Sequence, residues 1–218
     1  MRRFLAAAIV MCMSGAVVKG EDWPKWMGPN QDNIVTEKGL AESFPITGPK
    51  QLWSVEVGIG YSTPAVADGK VYAFYTEGDD DVLSCFEADS GKLVWKSKHP
   101  NGFKGSYPGT RGTPTVQKPF IYTYGGAGEL ACWKIEDGSI VWRTNILKET
   151  GGKNHQWGTS GGPMVVGDVI YVQGGIGGAA ACAVDKKDGK ILWQSEAKDA
   201  SYAYPLPIEV GGAKQLIV

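Results

Sequence analysis

Three tryptophans constrain this chain more than any other feature. Trp95, Trp142 and Trp193 each follow a glycine by four residues, in Ser90-Gly91-Lys92-Leu93-Val94-Trp95, Asp137-Gly138-Ser139-Ile140-Val141-Trp142 and Asp188-Gly189-Lys190-Ile191-Leu192-Trp193. Three prolines set after small residues, Pro64, Pro114 and Pro163, each precede a tyrosine by eight: Tyr72, Tyr122 and Tyr171. The two series share a period of about 48 residues, which marks a repeat architecture of one supersecondary unit per period.

Each unit reads as four short strands. In the first they are Pro64 to Val66, Val71 to Tyr75, Val82 to Phe86 and Leu93 to Lys96. Gly- or Asp-rich turns separate the middle strands, at 78–81, 125–128 and 174–178. β-Branched and aromatic runs between such clusters are strand signals, and helical periodicity is weak after residue 50. Glycine is 31 of 218 residues and eight are tryptophan, which suits many tight turns around an aromatic core. Four strands per period is the arithmetic of a propeller blade. The expected fold is all-β: a β-propeller of four-stranded antiparallel blades, incomplete, with about three and a half blades in units 51–99, 106–147, 154–197 and 200–218.

The ends carry further expectations. Arg2 and Arg3 precede an apolar run from Phe4 to Val18, the pattern of a signal peptide over residues 1–20 cleaved after Gly20, with Ala16 as second choice. The run is too short for a membrane span, so the mature chain is expected to be exported to the periplasm or cell envelope without a transmembrane span. Cys12 lacks the small residue a lipidation site wants before it, which makes a lipid anchor the lesser alternative. Residues 21–50 read as an extended segment tethered by Trp23 and Trp26. Trp53 lies eleven residues before Pro64, where a unit's last strand falls. Leu52 to Val55 is therefore expected to be the outermost strand of a blade otherwise missing, without an in-chain sheet partner, and Gln215 to Val218 likewise. The fourth unit stops inside its second strand, so the sequence reads as the N-terminal half of a longer protein.

Charge and cysteine usage exclude several functions. The net charge is −1, and without the first twenty residues 19 bases face 23 acids. No basic cluster exists to neutralise phosphates, which argues against nucleic acid as a partner. Cys85, Cys132 and Cys182 have no zinc spacing. Cys85 and Cys132 both lie ten residues before their tryptophan, Ala183 takes that place in the third unit, and Cys182 is one residue off and faces the other side. Small buried residues is the favoured reading over a disulfide. Asp79-Asp80-Asp81 lacks the spaced ligands of a calcium loop and reads as a solvated hairpin turn. Gly174 to Gly178 opens no helix and is not a phosphate loop. His99 and His155 have no metal or triad context, and His155 reads as a loop hydrogen-bonding group.

These units resemble the repeats of the pyrroloquinoline-quinone-type β-propellers, whose unit runs Ala-x-Asp-x-x-Thr-Gly-x-x-x-Trp. Ala183, Asp185, Asp188, Gly189 and Trp193 match it with Asp for Thr, while Lys134 departs at the acidic place of the second unit. Asp22-Trp23-Pro24-Lys25-Trp26-Met27-Gly28-Pro29-Asn30 also resembles the leader of exported bacterial members, with Met27 where Arg is usual. The resemblance implies a ring of about eight blades. It implies that Trp53, Trp95, Trp142 and Trp193 are structural, each packed flat between blades against a neighbour's glycine turn.

The family holds two occupations. Quinoprotein dehydrogenases bind pyrroloquinoline quinone between a tryptophan and an adjacent-cysteine disulfide, with calcium on carboxylate and amide groups. This chain has no Cys-Cys pair, and none of its acids matches a catalytic base or calcium ligand. BamB-like exported propellers use no cofactor and act as binding surfaces. The first expectation is therefore a non-catalytic scaffold for a protein or cell-envelope partner, with no cofactor and no catalytic or metal residues. The alternatives are a quinone-dependent dehydrogenase and a carbohydrate- or small-ligand-binding propeller. Residues three before each strand-opening proline, Tyr61, Arg111, Ser160 and Tyr204, are expected to gather at one channel mouth with Trp157. Arg111 is the only charge there and would pair with an anionic ligand or acidic loop. The competing expectation is that it only satisfies backbone carbonyls between blades.

Overall fold

The computed structural model describes residues 20–100, 102–196 and 198–218. The expected signal peptide, apart from Gly20, lies outside them, as does Cys12. Three four-stranded antiparallel sheets follow one another along the chain. The first holds β1 (Ala65–Ala67), β2 (Lys70–Glu77), β3 (Asp80–Glu87) and β4 (Leu93–Pro100). The second holds β5 (Thr115–Gln117), β6 (Phe120–Tyr124), β7 (Glu129–Lys134) and β8 (Ile140–Asn145). The third holds β9 (Met164–Val166), β10 (Val169–Val172), β11 (Cys182–Asp185) and β12 (Ile191–Gln194). A two-stranded hairpin, β13 (Leu206–Val210) and β14 (Ala213–Ile217), ends the chain. Each sheet is a meander in sequence order, as a blade must be, and β1, β5 and β9 begin directly after Pro64, Pro114 and Pro163.

The same cross-strand row recurs in every blade. Tyr72 pairs with Cys85 and Cys85 with Trp95; Tyr122, Cys132 and Trp142 repeat the row, and Tyr171, Ala183 and Trp193 repeat it again. Directly after it each blade carries a register shift on its outermost strand pair, at Cys85/Phe86, Cys132/Trp133 and Ala183/Val184. Such bulges sharpen strand twist. The row needs a small residue in the middle because tyrosine and tryptophan close over it, with ring centroids 6.1–6.2 Å apart in all three blades.

Burial is concentrated between blades. Tyr72, Phe74, Leu83 and Cys85 of the first blade meet Ile121, Ala131 and Trp133 of the second. Tyr122, Tyr124, Leu130 and Cys132 of the second meet Ile170, Val172, Cys182 and Val184 of the third. Cys182 thus faces the opposite side of its strand from the Cys85 and Cys132 series, and all three thiols are free and buried. Each tryptophan then reaches over the glycine turn of the next blade. The Nε1 of Trp53, Trp95 and Trp142 donates to Ala88 O, Ile135 O and Lys186 O, at 2.7, 2.9 and 3.1 Å.

Four expectations need correction or sharpening. Residues 51–58 form no strand, and Trp53 makes no pairing within the first sheet; it docks on Gly91 as the other tryptophans dock on their glycines. Gln215, expected to lack a partner, pairs with Ile208, because the chain closes a hairpin through Gly211-Gly212 before it ends. The Asp79–Asp81 run is not a solvated turn throughout: Asp81 lies inside β3 and is fully buried. One short helix, α1 (Ile146–Thr150), interrupts the β pattern; Asn145 caps its first turn by accepting from Lys148 N at 3.0 Å, and Gly151 ends it at φ 69°.

Candidate functional site

The segments that enter the inner strands lie together at one end of the blades. Tyr61 N donates to Thr110 O at 2.7 Å, and the Thr110 hydroxyl donates to Phe74 O at 2.8 Å, so the second blade's entry is pinned to the first. Thr115 donates to Pro163 O at 2.7 Å and Ser160 to Tyr202 O at 2.7 Å, which continues the arc to the third blade and the final hairpin.

Arg111 lies at this end between Tyr61 and Phe103. Its guanidinium lies 5.3 Å from the Tyr61 ring centroid and 4.9 Å from that of Phe103. It donates to Gly109 O at 2.6 Å and to Tyr107 O. These carbonyls belong to its own loop rather than to a neighbouring blade. Among the described residues no carboxylate pairs with it, and burial pulls its pKa below the ordinary arginine value, with Tyr61 and Tyr202 opposing. Five N–H donors are available on a guanidinium, so two carbonyls leave it with hydrogen-bonding capacity.

Two aromatic groups stand at this end: Tyr61 and Phe103 on the arginine, and Tyr202 with Trp157 and His155 on one another. Tyr61 is 56% exposed, Trp157 47% and Tyr202 39%. Tyr202 packs against Trp157 at 5.6 Å and against His155 at 4.8 Å. Burial lowers the pKa of His155, opposed by Asp199, so the ring is held toward its neutral form. Half-exposed aromatics with polar tips are the anchors that binding surfaces favour.

Tyr204 is not part of this group. Its ring turns inward, stacks on Trp26 at 5.2 Å with planes 10° apart, and accepts from Thr113 N at 2.7 Å. The count from Pro207 itself holds: Ile208 pairs with Gln215 as Ala65, Thr115 and Met164 pair with Tyr72, Tyr122 and Tyr171, each pair one and eight residues after its proline. β13 begins two residues earlier than the other inner strands do, and Tyr202 takes the exposed place beside Trp157. Phe103 carried no sequence signal, because it sits in a loop outside the repeated positions; His155, expected as a loop hydrogen-bonding group, instead packs on Tyr202, its Nε2 buried without a hydrogen-bond partner among the described residues.

The quinone expectation can be tested on the donor set. Cys85, Cys132 and Cys182 stand alone in three different strands, and no Cys-Cys pair exists to face a quinone. Trp53, Trp95 and Trp142 have a ring face against a glycine turn. Among the described residues no group of three or more His, Cys, Asp or Glu side chains is placed to hold a metal ion. These residues do not fit a quinone held between tryptophan and disulfide beside calcium.

The family model for outer membrane protein assembly factor BamB matches residues 37–120 and again residues 78–208. The chain belongs to this family. Among curated proteins none matches the sequence. Among solved structures the fold is similar to BamB from Moraxella catarrhalis, at 17% identity and TM-score 0.46 over 72% of this chain and 40% of that one. It is similar to quinohemoprotein alcohol dehydrogenase ADHIIG from Pseudomonas putida HK5, at 20% identity and TM-score 0.48 over 65% and 21%. The computationally designed Ika4 protein is similar at 11% identity and TM-score 0.45 over 78% and 98%. The chain spans 21% to 40% of the length of the two natural proteins. No helix among the described residues is long and apolar enough to cross a membrane.

Proposed function

We propose that this chain is a non-catalytic binding propeller of the periplasm or cell envelope, and that it docks a protein partner on the blade end formed by Tyr61, Arg111, Trp157 and Tyr202. The observation that carries this reading is an exposed aromatic platform beside a cation that has no carboxylate partner among the described residues, on a rigid scaffold of BamB-family blades. Loops on a rigid scaffold are where binding concentrates. The positive run before Phe4 and the family's outer-membrane association support the location.

The test is site-specific photocrosslinking in the cell. A photoreactive residue at position 61 or 157 is expected to give discrete protein adducts. The same residue at Val141, exposed on the outermost strand of the second blade, is the control. Equal adducts at all three positions, or none at 61 and 157, overturn the reading. A quinone absorbance band in the protein purified from its native host would overturn the non-catalytic part.

A further inference from the structure

The N-terminal segment does more than tether itself to the outside of the blades. Trp23 and Val66 exchange backbone hydrogen bonds at 2.8 and 2.9 Å, so the segment lies along the free edge of β1. Val116 N, on the free edge of β5, donates to Pro24 O at 2.8 Å. Gln31 Nε2 approaches Met164 Sδ of β9 at 3.1 Å, and Trp26 stacks on Tyr204 just ahead of β13. One short stretch, residues 23–31, therefore meets the inner side of all three blades and of the final hairpin. Asp22 accepts from Asp68 N at 3.0 Å, in the β1–β2 turn at the end remote from Tyr61. The segment thus rises from that end toward the aromatic platform and turns back at Met27 and Gly28, where φ is 63° and 81°.

The turn sets the Trp26–Tyr204 pair one layer beneath the platform. Tyr204 is bonded to Thr113, two residues from Arg111, and packs on Gly162, two residues from Ser160. A Cβ at Gly162 would penetrate the Tyr204 ring, so the close approach is built into the sequence. The Trp26–Tyr204 pair therefore lies against the segments that enter the second and third blades.

We infer that the docking end is a blind cup, floored by Trp26 and Tyr204 and walled by Tyr61, Tyr202 and Arg111, and that the partner element it takes is a loop tip or chain end presenting a carboxylate. This rests on the binding reading proposed above. A through-channel would accept a threaded strand; a floor stops one. The unpaired guanidinium selects the charge. A carboxylate accepts two parallel N–H bonds from such a fork, and the rings take the apolar part of the same residue.

Benzoate and benzamide are suitable probes, being the same size with and without the charge. The readout is the Trp26 indole N–H signal in a 15N-correlated spectrum, assigned with Trp26→Phe. Benzoate is expected to shift it saturably and benzamide to leave it unmoved at equal concentration. Arg111→Gln should weaken benzoate at least tenfold on the same signal. Equal responses to the two probes, no saturable response to benzoate, or full binding by a folded Arg111→Gln protein would overturn the inference. The comparison of probes needs only the unmutated chain, so it stands even where a variant fails to fold. Crosslinks at 61 and 157 without benzoate binding would remove the carboxylate and leave the partner; benzoate binding without crosslinks would remove the partner and leave the cup.

Discussion

Trp95 lies face-on over Gly138 of the next blade. A Cβ at position 138 would sit 2.5 Å from the ring, and the backbone there has φ +72°. Trp53 over Gly91 and Trp142 over Gly189 repeat the contact, at 2.6 and 2.5 Å. Only glycine meets both demands, the left-handed backbone and the missing side chain. The indole N–H, which burial alone would leave unsatisfied, is returned to a carbonyl of the same neighbour. One residue pair therefore serves as packing, hydrogen bond and turn geometry at each blade boundary.

Gly138→Ala is expected to destabilise the chain by about 3 kcal/mol, combining left-handed strain with displacement of the ring. Trp142→Ala should cost a similar amount, within the roughly 3–5 kcal/mol typical of large aromatic truncation. Trp193 is 46% exposed and no described glycine turn covers it, so in this 218-residue chain Trp193→Ala should cost under about 1 kcal/mol. Urea unfolding of the three variants checks the contrast; equal losses would refute the boundary argument.

Asp81 governs the pH dependence expected of the first blade boundary. Burial, with Glu129 and Asp80 adding to it, pushes its carboxyl up to about 7, against a bond from Thr76. Its Oδ2 faces Gly125 of the second blade without a hydrogen-bond partner. Across from it on β4, His99 is buried against Trp133, and burial lowers its pKa. Glu129 from the second blade is bonded to Asn145 and lies 3.7 Å from Arg143. The folded state binds the Asp81 proton more tightly than the unfolded state, whose carboxyl ionises near 4. Stability from this group is therefore full below about pH 4, is lost as pH rises toward 7, and stays lost above. His99 works the other way, lowering stability as pH falls below its ordinary 6.5. Asp81→Asn should raise the unfolding free energy at pH 8 by an amount on the order of a few kcal/mol, the melting temperature rising with it, and leave only the acid-side loss. A variant no more stable than the parent at pH 8 would sink this account.

What the sequence made legible was whatever repeats. The Pro, Tyr, Gly and Trp positions gave the blades and the docking of Trp53, because each obeys a local rule met three or four times over. What it hid was whatever happens once. Tyr204 occupies the position that the count from Pro207 gives, but its ring turns inward because Trp26 of the N-terminal segment stacks on it and Thr113 N donates to its hydroxyl. Asp81 read as solvated because acids in a Gly-Asp run usually are; its burial comes from the second blade, far along the chain. Helix α1 is a single capped turn, too short for periodicity to show. The N-terminal segment showed its aromatics but not its path, which is set by the free edges of β1 and β5.

Cys85, Cys132 and Cys182 should be inert in the folded chain. Burial pushes the Cys85 thiol up to about 11 and those of Cys132 and Cys182 up to about 12. The thiolate is the reactive form, so at pH 8 an aromatic disulfide reagent should label none of the three within minutes and all three in denaturant. Rapid labelling of any of them in the native chain would show that a blade boundary opens readily.

Tyr202 and Tyr204 should separate cleanly. Tyr204→Phe keeps the stack on Trp26 and removes the hydroxyl that accepts from Thr113 N, leaving that amide unpaired. A loss of about 1–2 kcal/mol is expected, with benzoate binding nearly unchanged because the floor ring remains. Tyr202→Ala removes a cup wall and the partner of Trp157 and His155, but only a side chain that is 39% exposed. It should leave stability within about 1 kcal/mol while weakening benzoate severalfold. Thermal unfolding and the Trp26 titration, run on both variants, measure the two effects side by side. If Tyr204→Phe abolishes binding while Tyr202→Ala spares it, Tyr202 is not the tyrosine that lines the site.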